Sequence, residues 1–233
     1  MAGKLYLIPT PLGTGKAQNY LDAESLQIIS QIKHFIVEEE RTARRFISSL
    51  KLGINIPELT LYLMNEHVKP QEMIHYLDAA AENNIGLMSE AGVPCIADPG
   101  NVIVQMAHQK GIQVVPLIGP SSIIMALMAS GLNGQNFAFN GYLPVQSKDR
   151  IQKIRQLEKR SQTEQQTQIF IEAPYRNLQL LKDMTEACYP ATRICIAVDL
   201  SLETEFIKTA IAREWKNKLP EIHKRPAIFL MQG

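Results

Sequence analysis

At 233 residues, with 45% hydrophobic and 20% charged positions, the chain can bury the core of one large domain or of two smaller ones. A formal net charge of +1 excludes a global basic field that would recruit nucleic acid, leaving only local clusters at Arg41, Arg44 and Arg45, at Lys148 to Lys159, and at His223, Lys224 and Arg225. No apolar run reaches the ~18 residues that cross a bilayer, and the opening residues lead straight into a strand, so a cytoplasmic location without membrane contact is expected. The three cysteines lack CxxC spacing and the five histidines form no HxH or HExxH pattern, so neither a disulfide framework nor a metal is expected.

In chain order, residues 4–9 read as a strand and 23–31 as a helix with Leu26, Ile29 and Ile32 on one face. Strand 34–38 and helices 41–50 and 71–82 follow. Then come strand 85–89, helix 102–110, strand 114–118 and helix 122–130. This alternation predicts a mostly parallel sheet with helices on both faces. Gly111 sits where a helix C-cap belongs.

The pattern changes near residue 133, after the break at 131–134. Strands are expected at 137–140, 168–172, 193–199, 205–210 and 227–231, with helices at 148–160, 176–188 and around 213–219. The short connection between 193–199 and 205–210 predicts a partly antiparallel sheet. The polar segment 159–168 reads as a loop or a frayed helix end. The expected organisation is α/β, with a domain of mostly parallel sheet at 1–118 and one of mixed sheet at 119–233.

Two strand-to-loop junctions carry the chemistry. Leu87-Met88 opens into Ser89-Glu90-Ala91-Gly92-Val93-Pro94-Cys95-Ile96-Ala97-Asp98-Pro99-Gly100, and Val114-Val115-Pro116-Leu117-Ile118 opens into Gly119-Pro120-Ser121-Ser122. Apolar strands that end in such loops present backbone amides to a ligand in open α/β sheets. Gly92 permits close approach, and Pro94 and Pro99 stiffen the loop. Asp98 reads either as part of the site or as a helix N-cap. Pro9 to Lys16 resembles a phosphate loop only superficially, because it lacks GxxxxGK[ST] spacing and its prolines withhold N–H donors.

Taken together, these residues resemble a known family. Leu5-Tyr6-Leu7-Ile8-Pro9-Thr10-Pro11-Leu12-Gly13, Ser89 to Pro94 with Asp98-Pro99-Gly100, and Pro116 to Ser122 carry the match. Ala129-Ser130-Gly131-Leu132, Gly141-Tyr142-Leu143-Pro144 and Ile169 to Arg176 extend it. The set is similar to the tetrapyrrole-methylase (class III) superfamily of S-adenosylmethionine-dependent methyltransferases, and within it to the branch that methylates a cytidine ribose 2′-oxygen of small-subunit ribosomal RNA. Departures are Glu38-Glu39-Glu40-Arg41-Thr42 after the second strand, Glu90 and Val93 in the central loop, and the segment Tyr62 to His67. The chain also ends soon after its last strand, where the ribosomal branch carries a further small domain.

The resemblance implies two α/β domains, a homodimer, and S-adenosylmethionine held in a cleft between the domains. It assigns cofactor contacts to Pro11, Leu12, Ser89, Glu90, Ala91, Gly92, Pro94, Ile96, Ser121 and Ser122. From the second domain it adds Ile171, Glu172, Pro226, Ala227 and Ile228. A ribose hydroxyl is a poor nucleophile, so a base is expected near the methyl group. Glu38, Glu39, Glu40, Glu66, His67 and Glu172 are candidates, with Glu39 or Glu40 favoured and Arg41 and Arg44 on a phosphate. The competing reading of Glu38 to Glu40 is a strand end and first helical turn, where acids complement the helix dipole. Arg176 reads as a phosphate or carboxylate partner or as a solvated residue. Met125 and Met128 read as core, and Trp215 as an anchor for the late helix. Two other functions stay open, namely methylation of a tetrapyrrole or other small molecule, and a non-catalytic cofactor- or RNA-binding module.

Overall fold

The computed structural model describes residues 3–13, 20–64, 68–69 and 71–233, in two compact units, Met1–Ser121 and Ser122–Gly233. The first unit contains β1 (Leu5–Ile8), α1 (Ala23–Ser30), β2 (His34–Val37), α2 (Glu40–Ser49), β3 (Thr60–Leu63), a 3-10 helix Glu72–Ala81, β4 (Ile85–Met88), α3 (Asn101–Gln109) and β5 (Val114–Pro116). Its five-stranded sheet runs β3-β2-β4-β1-β5 with all pairings parallel.

Strand alternation sends Tyr6, Ile8, Phe35, Val37 and Met88 to one face, against Ile29 and Ile47. Leu5, Ile36, Ile85 and Leu87 turn to the other face, against Met73, Leu77 and Ile103. Both faces are therefore buried, which is why these strands read as short continuous apolar runs. Gly86 is required by this packing, since a Cβ there would lie 2.7 Å from both Ile8 Cδ1 and Phe35 Cδ1. From β2 the chain moves outward to β3, and from β4 it moves the other way to β5. The crossovers diverge between the carboxyl ends of β2 and β4, which is where an open sheet leaves a crevice.

The second unit contains α4 (Ser122–Ser130), β6 (Phe137–Tyr142), α5 (Ser147–Glu164), β7 (Thr167–Ile171), a 3-10 turn Pro174–Arg176, α6 (Asn177–Ala187), β8 (Arg193–Val198), β9 (Phe206–Ile211), α7 (Ala212–Asn217) and β10 (Ala227–Gln232). The sheet order is β6-β7-β10-β8-β9, with β6–β7 parallel and the other pairs antiparallel. Trp215 anchors α7 as expected, buried with its indole Nε1 donating to Ile194 O at 2.9 Å.

Three expectations are corrected. β3 was missed because it is an edge strand whose half-exposed residues give no alternation. The segment expected as a helix at 71–82 winds as 3-10; the spacing of its buried Met73, Leu77 and Ala80 does not separate 3.0 from 3.6 residues per turn over so short a run. α5 continues to Glu164 and stops at left-handed Gln165 (φ 53°). Good helix formers, an Arg160–Glu164 pair at 3.1 Å and buried Ser161 carry it into the segment expected as a loop or a frayed helix end. Among the described residues, no helix is long and apolar enough to cross a membrane, and no cluster of three His, Cys, Asp or Glu could hold a metal.

The second unit depends on one buried ion pair. Arg150 on α5 donates to Asp183 Oδ2 on α6 through Nε at 2.6 Å and Nη2 at 2.5 Å, with both side chains under 5% exposed. Arg150 Nη1 also donates to Pro144 O at 3.1 Å and Val145 O at 2.7 Å, fixing the β6–α5 turn. Asp183→Ala leaves that guanidinium buried and unpaired, and is expected to cost about 3–5 kcal/mol in urea unfolding. The apolar double variant R150M/D183L is expected to lose much less; an equal loss would show that the charges themselves are not the issue.

Candidate functional site at the sheet switch point

Three strand ends converge at the switch point: Pro9 to Pro11 beyond β1, Glu38 beyond β2, and Ser89 with Glu90 beyond β4. The first and third are locked together. Thr10 N donates to Gly92 O at 2.9 Å, Gly92 N to Thr10 O at 3.0 Å, and Thr10 Oγ1 to Ser89 O at 3.2 Å. Gly92 has φ +77°, and a Cβ there would lie 3.1 Å from Leu12 Cδ2 and 3.3 Å from Pro120 O. Glycine is needed at this point both for its left-handed backbone and for the close approach of those two neighbours.

A cavity of about 270 Å³ opens between these ends and α2. Pro11, Val37, Phe46 and Met88 supply its apolar walls, while Thr10, Glu38, Thr42, Arg45, Ser89 and Glu90 supply the polar ones. Ser89 Oγ is buried and has no partner among the described residues. A buried hydroxyl left open on a cavity wall is a group waiting for a ligand atom.

The acids here have distinct environments. Glu39 is the N-cap of α2, accepting from Arg41 N at 2.9 Å and Thr42 N at 2.8 Å, and these bonds hold its carboxyl below the usual range. Glu40 is in the first turn, 3.6 Å from Arg44. Glu38 is half-buried on the cavity wall. Burial pushes its carboxyl up, partly offset by the amide of Glu90 at 3.3 Å, and the charges of Asp98 and Glu90 push it further up. Glu90 in turn accepts from Thr42 Oγ1 at 2.7 Å.

Several candidates from the sequence find other work. Asp98 does not cap α3, whose N-cap is Gly100; its Oδ1 instead closes the loop, accepting from Cys95 N and Gly100 N, both at 2.9 Å. Arg44 donates to Ile56 O at 2.9 Å, and it is Arg45 that lines the cavity. One step along a helix turns a side chain by about 100°, so spacing alone did not choose between them. Arg41 is exposed. Met128, read as core, is 78% exposed. Thr14 to Lys16 and the candidate bases Glu66 and His67 lie outside the described residues. Burial raises the Cys95 thiol to about 12, so this loop cysteine is no nucleophile.

Of the residues assigned to the cofactor, Pro11, Ser89 and Glu90 line the cavity. Leu12 packs on Gly92, while exposed Ala91 and Ile96 and buried Pro94 belong to the same loop. Half-buried Ser121 closes the first unit. In the second unit, Ser122 begins α4, Ile171 pairs with Ile228, and Ala227 pairs with Val198. Pro226 O accepts from Asp199 N at 2.9 Å. Glu172 is buried, with Oε1 held by Arg176 Nη2 at 2.6 Å and Ala173 N at 2.7 Å, while Oε2 has no partner among the described residues. Arg176 is thus a carboxylate partner within its own unit. Apolar walls beside acidic and open hydroxyl groups are the mixture that a cationic nucleoside requires, so these residues fit S-adenosylmethionine.

Comparison with known proteins supplies the context. The family model described as tetrapyrrole (corrin/porphyrin) methylases matches residues 4–214. The ribosomal RNA small subunit methyltransferase I of Vibrio cholerae is 33% identical over 204 residues, covering 88% of this chain and 67% of the relative. Its counterpart in Pasteurella multocida is 30% identical over 236 residues, covering 100% and 80%. Among solved structures, the methyltransferase CobJ superposes with a TM-score of 0.65 at 16% identity, covering 100% of this chain and 95% of that one. The uroporphyrin-III-C-methyltransferase of Thermus thermophilus gives 0.57 at 16% identity, covering 100% and 93%.

Because the fold favours the neutral form of Glu38, ionising it costs stability as pH rises from the ordinary glutamate range through the raised value. Glu38→Gln is therefore expected to raise the melting temperature at neutral pH. That gain should shrink as the pH falls toward about 4. A pH-independent difference would mean that burial does not act on this carboxyl.

Proposed function

The chain belongs to the tetrapyrrole (corrin/porphyrin) methylase family, and from that premise we propose that it is an S-adenosylmethionine-dependent methyltransferase of small-subunit ribosomal RNA. The observation that carries this reading is the near-full-length relation to enzymes named for that substrate. Methylation of a tetrapyrrole is not favoured, since the structures with that name share only the fold at 16% identity.

The sulfonium of the bound cofactor supplies an already activated methyl group. The protein's own part is to position the acceptor and take its proton. Pro11, Ser89 and Glu90, with Leu12 and Gly92 behind them, hold the cofactor from the first unit. The acceptor is a ribose 2′-hydroxyl of a cytidine, whose proton needs a base in the cavity. Glu38 fills that role better than Glu39 or Glu40, because Glu39 has both oxygens bound to α2 amides and Glu40 faces Arg44. A carboxyl raised by burial is also the stronger base. Arg45, on the cavity wall, is placed to meet a phosphate, with exposed Arg41 beside it. The work is placed in the cytoplasm, with the ribosome.

Two measurements test this. Purified protein is expected to bind S-adenosylhomocysteine in calorimetry and to transfer labelled methyl to small-subunit rRNA in unmethylated subunits. Glu38→Gln should lower kcat by about 10²–10⁴-fold while sparing affinity for S-adenosylhomocysteine, which lacks the sulfonium charge. Retained turnover in that variant would reject the base assignment, and transfer to a tetrapyrrole but not to rRNA would reject the substrate.

We also infer a homodimer. Support comes from α4, which exposes Ile124 (43%) and Met128 (78%) one turn apart. Light scattering should give twice 26.2 kDa for the wild type, and Met128→Glu should lower it. A monomeric wild type would end this inference.

A further inference from the structure

Apart from exposed Asp149 and Lys153 at the edge, and an Arg160–Glu164 pair, α5 sorts its charges between two faces. Inward, Arg150 pairs with Asp183, and Glu158 accepts from Tyr189 N at 2.8 Å and from the Thr192 hydroxyl. Outward, Lys148, Gln152, Arg155, Gln156 and Lys159 are exposed, with half-buried Ile151 among them. Their spacing places them along one helix face, and together they line a shallow groove whose described walls contain no acid. Glu164 lies off this face and is taken by Arg160 at 3.1 Å. In a chain with a net charge of only +1, such a stripe is a local concentration of positive charge.

We propose that this face of α5 holds the sugar–phosphate backbone of the RNA substrate, an inference that rests on the ribosomal RNA reading above. The three cations pair with phosphates, and the two glutamine amides donate to phosphate or sugar oxygens between them. At ~1.5 Å per residue, Lys148 and Arg155 are roughly 10 Å apart along the axis, and Arg155 and Lys159 roughly 6 Å. Their long stems adjust these separations to successive phosphates. In the cavity the single cation Arg45 stands against Glu38 and Glu90, enough to meet one phosphate but not to hold an extended backbone, which calls for a second, basic surface.

The test compares K148Q/R155Q/K159Q with K182Q/R213Q/K216Q, which removes the same charge from exposed positions elsewhere in the second unit. Binding to unmethylated small ribosomal subunits is measured across a salt series, with S-adenosylhomocysteine calorimetry alongside. The stripe variant is expected to bind RNA about tenfold more weakly, with a log–log salt slope shallower by about 2. Its KM for RNA should rise while kcat and cofactor affinity hold, and the control variant should stay within twofold of wild type. Equal losses in both variants, or unchanged RNA affinity in the stripe variant of an active enzyme, overturn the proposal alone. A wild type that binds cofactor but neither binds nor methylates RNA overturns the ribosomal reading, and this proposal with it.

Discussion

The first unit's site depends on the reciprocal backbone pair between Thr10 and Gly92. β1 and β4 are adjacent in the sheet but far apart in sequence, and their exit segments would otherwise be two independent loops. Pairing across Thr10 and Gly92 makes them one rigid rim, and Thr10 Oγ1 adds a third bond to Ser89 O. The arrangement commits the amide of Gly92 to the protein, and that of Glu90 is likewise committed to Glu38. A ligand therefore meets side chains and carbonyls here more than free amides, which changes the emphasis that the loop's glycine and prolines first suggest. Rigidity is the gain, because a preordered wall loses little entropy on binding.

That rim sets the electrostatics of the cavity. Burial first, and then the charges of Asp98 and Glu90, raise the Glu38 carboxyl, an arrangement that is unfavourable with nothing bound. A cation in the cavity relieves it, and a sulfonium nucleoside is cationic. Glu39, one residue along, sits at the opposite extreme, because two helix amides stabilise its charge. Adjacent acids thus differ in kind: one is spent on holding α2 in place and the other remains available for proton transfer.

The buried strands could be read from the sequence because parallel strands covered on both faces are short runs of aliphatic residues, and Leu5–Ile8, His34–Val37 and Ile85–Met88 fit that pattern. β3 could not be read, since an edge strand with half-exposed residues lacks both signals. The loops were legible: Ser89 and Glu90, at the start of the segment singled out from the sequence, and Glu38, at the end of β2, border the cavity. Individual roles were not. Whether Asp98 caps a helix or closes its own loop depends on where α3 begins, which the proline before Gly100 obscures. Whether Arg44 or Arg45 faces the cavity depends on helix rotation, which the carbonyl of Ile56 decides by capturing Arg44. The first outcome is set by the fold of the loop itself and the second by a carbonyl twelve residues along the chain.

Burial also explains how a nearly neutral chain can address a polyanion. Its inward ion pairs cancel locally, buried Arg150 with Asp183 and half-buried Arg176 and Arg225 with Glu172 and Asp199, so they contribute little field outside. What a solvent-borne phosphate meets is the unpaired remainder, and on α5 that remainder is basic. The cavity carries Glu38 and Glu90 against the single cation Arg45, a balance that favours a cationic cofactor. Two ligands of opposite charge are thereby directed to different surfaces by side-chain orientation alone, without any excess of basic residues in the composition.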